Sequence, residues 1–220
     1  MRKQAIVVGL GQFGAALTRS LAARGVEVLA VDTNEERVQA VAAVAAHAAM
    51  FDATEEAALQ RAAPERRDLC VCAIGEAGRE ASILTTALLR QMGAPRVVAR
   101  AMDPLHERIL RLVGAHEVVN PERAFGERLA SRLLTAGVID EVPLGDDLVI
   151  TELRPPPAFV GRTLADLTLP KTYSVTVVAV RRPGAPVTMP TPATLLTAED
   201  ILVIVSPPGA VPAMMDRVAS

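Results

Sequence analysis

The chain has 220 residues, half of them apolar, with 23 Lys and Arg against 25 Asp and Glu. That length allows one large domain or two modest ones, each with a real core. A net charge of −2, four Phe, one Tyr and no Trp supply neither the basic footprint nor the stacking platforms of a nucleic-acid binder. The two cysteines, Cys70 and Cys72, lie two apart in one apolar run, which suits a reduced, cytoplasmic protein. Met1-Arg2-Lys3 before an apolar run imitates a signal peptide, but the glycines that interrupt it argue against one. No stretch approaches the roughly 20 apolar residues that span a bilayer.

The first strand, over residues 5–8, runs into Gly9-Leu10-Gly11-Gln12-Phe13-Gly14 and then a helix. Gly9, Gly11 and Gly14 have the dinucleotide-binding spacing: a tight turn, room for a phosphate against the backbone, and close helix–strand packing. The helix N-terminus behind them offers amide hydrogens and partial positive charge to an anion. A second strand, 26–31, ends at Asp32, about 20 residues on, where a ribose-binding carboxylate belongs; the alternative is a helix-terminal or turn acid. Thr33 and Glu36 have capping-box spacing, so a helix is expected from there to about Ala46.

A third strand over 48–51 precedes Asp52-Ala53-Thr54, with Thr54 as the expected N-cap of the next helix. Residues 69–74 form a fourth, continuously apolar strand, followed by Gly75-Glu76 and a helix over 79–92. A fifth strand (96–100), a helix (105–112), a sixth strand (117–119) and a helix opened by Pro121 and reaching Ala136 complete the first domain. This alternation implies an α/β, Rossmann-like doubly wound parallel sheet in the order 3-2-1-4-5-6, ending at residue 137.

Beyond it, strands at 148–153, 175–181 and 201–205, short helices near Leu164 and over 211–218, and many prolines indicate a smaller α+β domain over 138–220. The segment 138–144 reads as a hinge or strap. The long helix after Pro121 carries Phe125, Leu129, Leu133 and Leu134 largely on one side. That face either packs on its own sheet or is exchanged with another subunit.

A dehydrogenase needs an acid–base group as well as a cofactor site. The second domain has no His or Cys, and Tyr173 lacks a Lys four residues on. His47, His106 and His116 read as solvated or capping residues, without metal-ligand spacing. The cysteines fall in a buried strand, where thiols stay protonated. A nucleotide pocket without a catalyst suggests a sensor whose ligand shifts a conformational equilibrium.

The ordered set Val-Val-Gly-Leu-Gly-Gln-Phe-Gly (7–14), Ala-Val-Asp (30–32), Asp-Ala-Thr (52–54), Ala-Ile-Gly (73–75), Val-Ala-Arg-Ala (98–101) and Val-Val-Asn-Pro-Glu (118–122) resembles the regulator-of-conductance (RCK) family of the KtrA/TrkA type. Residues 173–182 and 198–204 resemble the C-terminal domain of the same proteins. The resemblance implies a non-enzymatic, cytoplasmic regulatory subunit at the inner face of the cell membrane. It would form dimers assembled into an octameric ring on a membrane-embedded potassium transporter subunit, gated by ATP, ADP or NAD(H). It places Gly9, Gly11, Gln12, Phe13, Gly14, Ile74 and Gly75 around the nucleotide, Asp32 on the ribose, and Asp52, Ala53 and Thr54 on the adenine side. Arg100 would lie near the ribose or phosphates. Glu122 would sit at the dimer interface beside the terminal phosphate or a divalent or monovalent cation, and the helix behind it would cross to the neighbouring subunit.

Two departures qualify this. Relatives gated by ATP often carry an Arg where Gln12 stands, and losing that charge-assisted contact leaves ADP or NAD(H) more open. Pro170 and Thr176 replace the Arg and Asn of relatives that bind cyclic di-AMP, which counts against that ligand. The alternative function is an NAD(P)-dependent oxidoreductase with unrecognised catalytic residues; a third is a sensor without a membrane partner.

Overall fold

The computed structural model describes residues 2–75 and 78–219; Glu76, expected in the turn after the fourth strand, lies outside them. The chain divides into two compact units, Met1–Glu122 and Arg123–Ser220.

The first unit runs β1 (Gln4–Val8), α1 (Gln12–Ala23), β2 (Glu27–Asp32), α2 (Glu35–Ala42), β3 (His47–Met50), α3 (Glu56–Arg61), β4 (Leu69–Cys72), α4 (Arg79–Gln91), β5 (Val97–Arg100), α5 (Pro104–Leu112) and β6 (Glu117–Val119), and ends in the first turn of α6 (Pro121–Leu134). All strands of its sheet are parallel, in the order β3-β2-β1-β4-β5-β6. The strands alternate sides with the period of two that a pleated backbone imposes. Ile6, Val8, Cys70 and Val97 pack with Leu59 and Leu89, whereas Val7, Val28, Ala30 and Val71 pack with Val38 and Val41. Both faces are covered, so the strands read as continuous apolar runs. Each buried Val, Leu or Ile among them contributes about 1.5–3 kcal/mol.

Two expected helix starts move. Asn34, not Thr33, caps α2: its side chain accepts from the Arg37 amide at 3.0 Å. Asparagine is the stronger N-cap, and it competes one residue away from a sequence that only mimics the capping box. The helix stops at Ala42, short of Ala46. Glu55, not Thr54, occupies the N-cap of α3. Thr54 is engaged elsewhere, giving both its amide (2.9 Å) and its hydroxyl (2.8 Å) to Asp52 Oδ1.

The second unit holds the antiparallel sheet β7-β8-β10-β9, made of β7 (Val138–Leu144), β8 (Leu148–Leu153), β9 (Thr176–Arg181) and β10 (Ile201–Ser206). Alternate residues of β8 and β10 are buried. Leu153, Leu202 and Ile204 share a core with Leu167 of α7 (Leu164–Leu167), Leu169 of α8 (Leu169–Tyr173), and Val211 and Met214 of α9 (Ala210–Ala219). The segment expected to be a hinge or strap is β7, hairpinned to β8 across Gly145, whose φ is +72°. Pro143 lacks a ladder donor and obscures the strand in the sequence, yet an edge strand tolerates it. Along α6 no residue is buried, and Phe125, Leu133 and Leu134 are exposed.

Candidate functional site

The carboxyl ends of β1 and β4 meet where the strand order reverses, and a cavity of about 470 Å³ opens there. A doubly wound sheet places its ligand at this switch point. Three glycines build the floor in three different ways. Gly9 has φ +90°, and a Cβ on it would fall 2.8 Å from the Ile74 amide nitrogen. A Cβ on Gly14 would fall 1.8 Å from the Gly9 carbonyl oxygen, so only glycine lets α1 pack on the turn. A Cβ on Gly11 would meet nothing within 4 Å. That empty space faces the cavity, and Gly11 is also the N-cap of α1, with no side chain bonded over it. The first intrahelical bond is Ala15 N to Gly11 O, so the amides of Gln12, Phe13 and Gly14 precede the helical ladder. No acid occupies that first turn.

Asp32 closes the far side. It is 7% exposed; Oδ2 accepts from the Leu10 amide at 2.6 Å and Oδ1 from the Asn34 amide at 2.9 Å. The carboxylate thus ties the glycine turn to the end of β2 while still lining the cavity. Asp52 lies at the same end, oriented by Thr54. At the other end Arg100 leaves β5 with its guanidinium 5.7 Å from the centre of the Phe13 ring and ion-paired to Glu122. Its Nε is buried with no hydrogen-bond partner among the described residues, a donor that suits a phosphate or ribose oxygen.

Of the residues expected at the site, Gly9, Gly11, Asp32, Asp52, Ala53, Ile74, Gly75 and Arg100 line the cavity. Gly14, Phe13, Thr54 and Glu122 stand behind it, each touching a lining residue, and Gln12 is exposed on the first turn of α1. Val8, Thr33, Arg37, Phe51, Ala73, Gly78 and Ala81 also line the cavity, and none of these was expected at the site. Gly78 could have been suspected: it precedes the second helix aimed at the switch point, and a Cβ there would lie 2.7 Å from Ile74 Cγ2.

Among the described residues the lining contains no His, Cys, Tyr or Lys, and its titratable groups are Asp32, Asp52, Arg37 and Arg100. Burial pushes the Cys70 thiol up to about 12 and raises that of Cys72, so both behave as apolar groups. His116 is exposed and accepts the Val97 amide at 2.8 Å, and His47 is exposed at the start of β3. His106 departs from expectation: it is fully buried, and neither ring nitrogen has a hydrogen-bond partner among the described residues. It shares an (i, i+4) face of α5 with buried Leu110, which drives it inward. Among the described residues no group of three His, Cys, Asp or Glu is placed to hold a metal ion. In the second unit Pro170 and Thr176 line a hollow of about 320 Å³ that contains no charged side chain.

Residues 5–121 match the TrkA-N domain, and residues 148–219 match the TrkA-C domain. The chain belongs to the TrkA-N/TrkA-C family. This is the KtrA/TrkA-type RCK family that its ordered motifs resemble. It is 33% identical over 205 residues to Ktr system potassium uptake protein C of Bacillus subtilis, covering 93% of this chain and 92% of that protein. It is 35% identical to Ktr system potassium uptake protein A of Vibrio alginolyticus, covering 93% of each chain. Among solved structures, the GsuK RCK domain shares the fold at a TM-score of 0.67 and 19% identity, covering 100% of this chain and 48% of that one. A GsuK channel bound to NAD superposes at 0.65 with 18% identity, covering 97% of this chain and 39% of that one. The TrkA-N/TrkA-C chain thus spans about half or less of those two GsuK chains. No helix among its described residues is long and apolar enough to cross a membrane.

Proposed function

We propose that the protein is a nucleotide-binding regulatory subunit of a membrane potassium uptake system and performs no catalysis. One observation carries the reading: an open glycine cradle, a ribose-type carboxylate and an orphaned guanidinium nitrogen converge on one cavity, whose described lining offers no His, Cys, Tyr or Lys. Relatives of nearly the same length are potassium uptake proteins, which supplies the system.

In this reading residues 1–137 are the nucleotide-binding domain and residues 138–220 the second functional domain. The ligand is ADP, ATP or NAD(H). Its phosphates meet the amides of Gly11, Gln12 and Phe13, with Gly9 and Gly14 shaping the turn. Asp32 takes the ribose hydroxyls, and Asp52, Ala53 and Thr54 border the adenine. Ile74, Gly75 and Arg100 hold the ribose–phosphate side. Glu122, paired with Arg100, lies where a terminal phosphate or a cation would come. Gln12 brings no charge to a third phosphate, which favours ADP or NAD(H) over ATP.

The exposed apolar face of α6 is assigned to a second copy of the chain, as the family resemblance implies, within a ring at the cytoplasmic face of the membrane. The uncharged hollow holding Pro170 and Thr176 is a poor site for cyclic di-AMP, a dianion. Affinity capture of the tagged protein from membranes of its own cells tests the assignment: a potassium transporter subunit is expected in the eluate. Its absence, or sustained NADH turnover on a panel of small carbonyl compounds, contradicts it.

A further inference from the structure

One side chain of the cavity has no evident task in the fold. Arg37 lines the end formed by Asp32, Thr33, Phe51, Asp52 and Ala53. It is the third residue of α2, where the helix terminus favours anions; Glu35 and Glu36 have that sign and Arg37 has the opposite one. Its guanidinium is 3.7 Å from Asp32 Oδ2 and 56% exposed. An ion pair whose guanidinium is this exposed is screened by water and adds little to stability. Asp32 is held without it, by the amides of Leu10 and Asn34.

The charges around Arg37 narrow what it can meet. An anionic group at this end would face two carboxylates, Asp32 and Asp52, against one guanidinium, so a 2′-phosphate is disfavoured. A flat, neutral, π-rich group meets no such penalty. A planar guanidinium stacks on it, and Phe51 and Ala53 supply apolar wall at the same end.

We propose that Arg37 stacks on the ligand's base and gives the cavity its preference for purine over pyrimidine nucleotides. The proposal rests on the nucleotide reading of the cavity and goes beyond it, because Arg37 is assigned neither to ribose nor to phosphate. A purine offers the larger π-face, so losing the stack costs a purine nucleotide more than a pyrimidine one.

The test titrates ADP and UDP by calorimetry into the full-length wild type, Arg37→Lys and Arg37→Ala. The wild type should prefer ADP. Both variants should lose about tenfold in ADP affinity and less than about twofold for UDP, so the ratio collapses. Lysine fails because it keeps the charge without the planar face. Full ADP affinity in Arg37→Lys overturns the proposal in favour of charge alone. Equal losses for ADP and UDP overturn it in favour of a general effect on the site. Silence of the wild type toward both nucleotides overturns the underlying nucleotide reading as well, which separates that failure from the other two. Unchanged thermal unfolding of the variants without nucleotide keeps the comparison free of folding defects.

Discussion

Gly11 and Gly14 belong to one motif, yet alanine should act on them in opposite ways. In Gly14→Ala the new Cβ starts 1.8 Å from the Gly9 carbonyl oxygen, 3.0 Å from its carbon and 3.2 Å from Ala73 Cβ. The obstruction is backbone, so α1 must lift from the turn by more than an ångström, and overpacking of this severity costs about 3 kcal/mol. For a unit of this size that lowers Tm by on the order of 10 °C. In Gly11→Ala the Cβ meets nothing within 4 Å, and φ is −63°. Alanine is a poorer N-cap but restricts the unfolded chain, and the two effects cancel to within about 0.5 kcal/mol. The same methyl group would enter the space proposed for a phosphate, so nucleotide affinity should fall about tenfold or more. Differential scanning calorimetry and ADP titration of both variants measure this. A Gly14→Ala protein as stable as wild type, or a Gly11→Ala protein with intact affinity, refutes the division of labour.

Other perturbations reach different parts of the chain. Gln12→Arg should raise the ATP-to-ADP affinity ratio about tenfold by supplying a charge-assisted contact; an unchanged ratio in competition binding shows that the terminal phosphate lies elsewhere. Asp200 is fully buried and accepts from Arg182 Nε at 2.6 Å and the Thr197 amide at 2.9 Å. Asp200→Asn should therefore cost about 2 kcal/mol in urea unfolding, and a loss under about 0.5 kcal/mol contradicts the assignment. Burial, and then the nearby Arg79 charge, depress the His106 pKa below its ordinary value. The unfolded chain then binds a proton near pH 6.5 that the folded chain refuses, so stability should fall as pH drops below about 6.5, by up to about 1.4 kcal/mol per unit. His106→Leu should flatten that slope in urea titrations; an equally steep slope in the variant removes His106 as the cause.

The first unit was largely legible because each of its signals is local. Apolar runs covered on both faces mark the parallel strands, and Gly9, Gly11, Gly14 and Asp32 sit at spacings fixed by one turn and one crossover. The second sheet was half legible. The alternation of β8 and β10 survives in the sequence, whereas β7 is an edge strand carrying Asp140, Glu141 and Pro143, and only its pairing with β8 reveals it. Local capping patterns misled where two caps compete, as with Thr33 and Asn34, or where a threonine serves a neighbouring acid, as Thr54 serves Asp52. Arg37 could not have been chosen, since an exposed arginine on a helix looks like any solvated charge until Asp32 and Asp52 are seen around it. The burial of His106 is likewise set by packing across elements, to which a short helix pattern is nearly blind.

Titration calorimetry of ADP into the wild type and Asp32→Ala decides whether the cavity at the switch point is a nucleotide site. The wild type should bind one nucleotide per chain saturably, and affinity should fall about tenfold or more once the carboxylate proposed to hold the ribose is gone. Equal affinity in the two proteins, or no binding by the wild type to any adenine nucleotide, contradicts that reading.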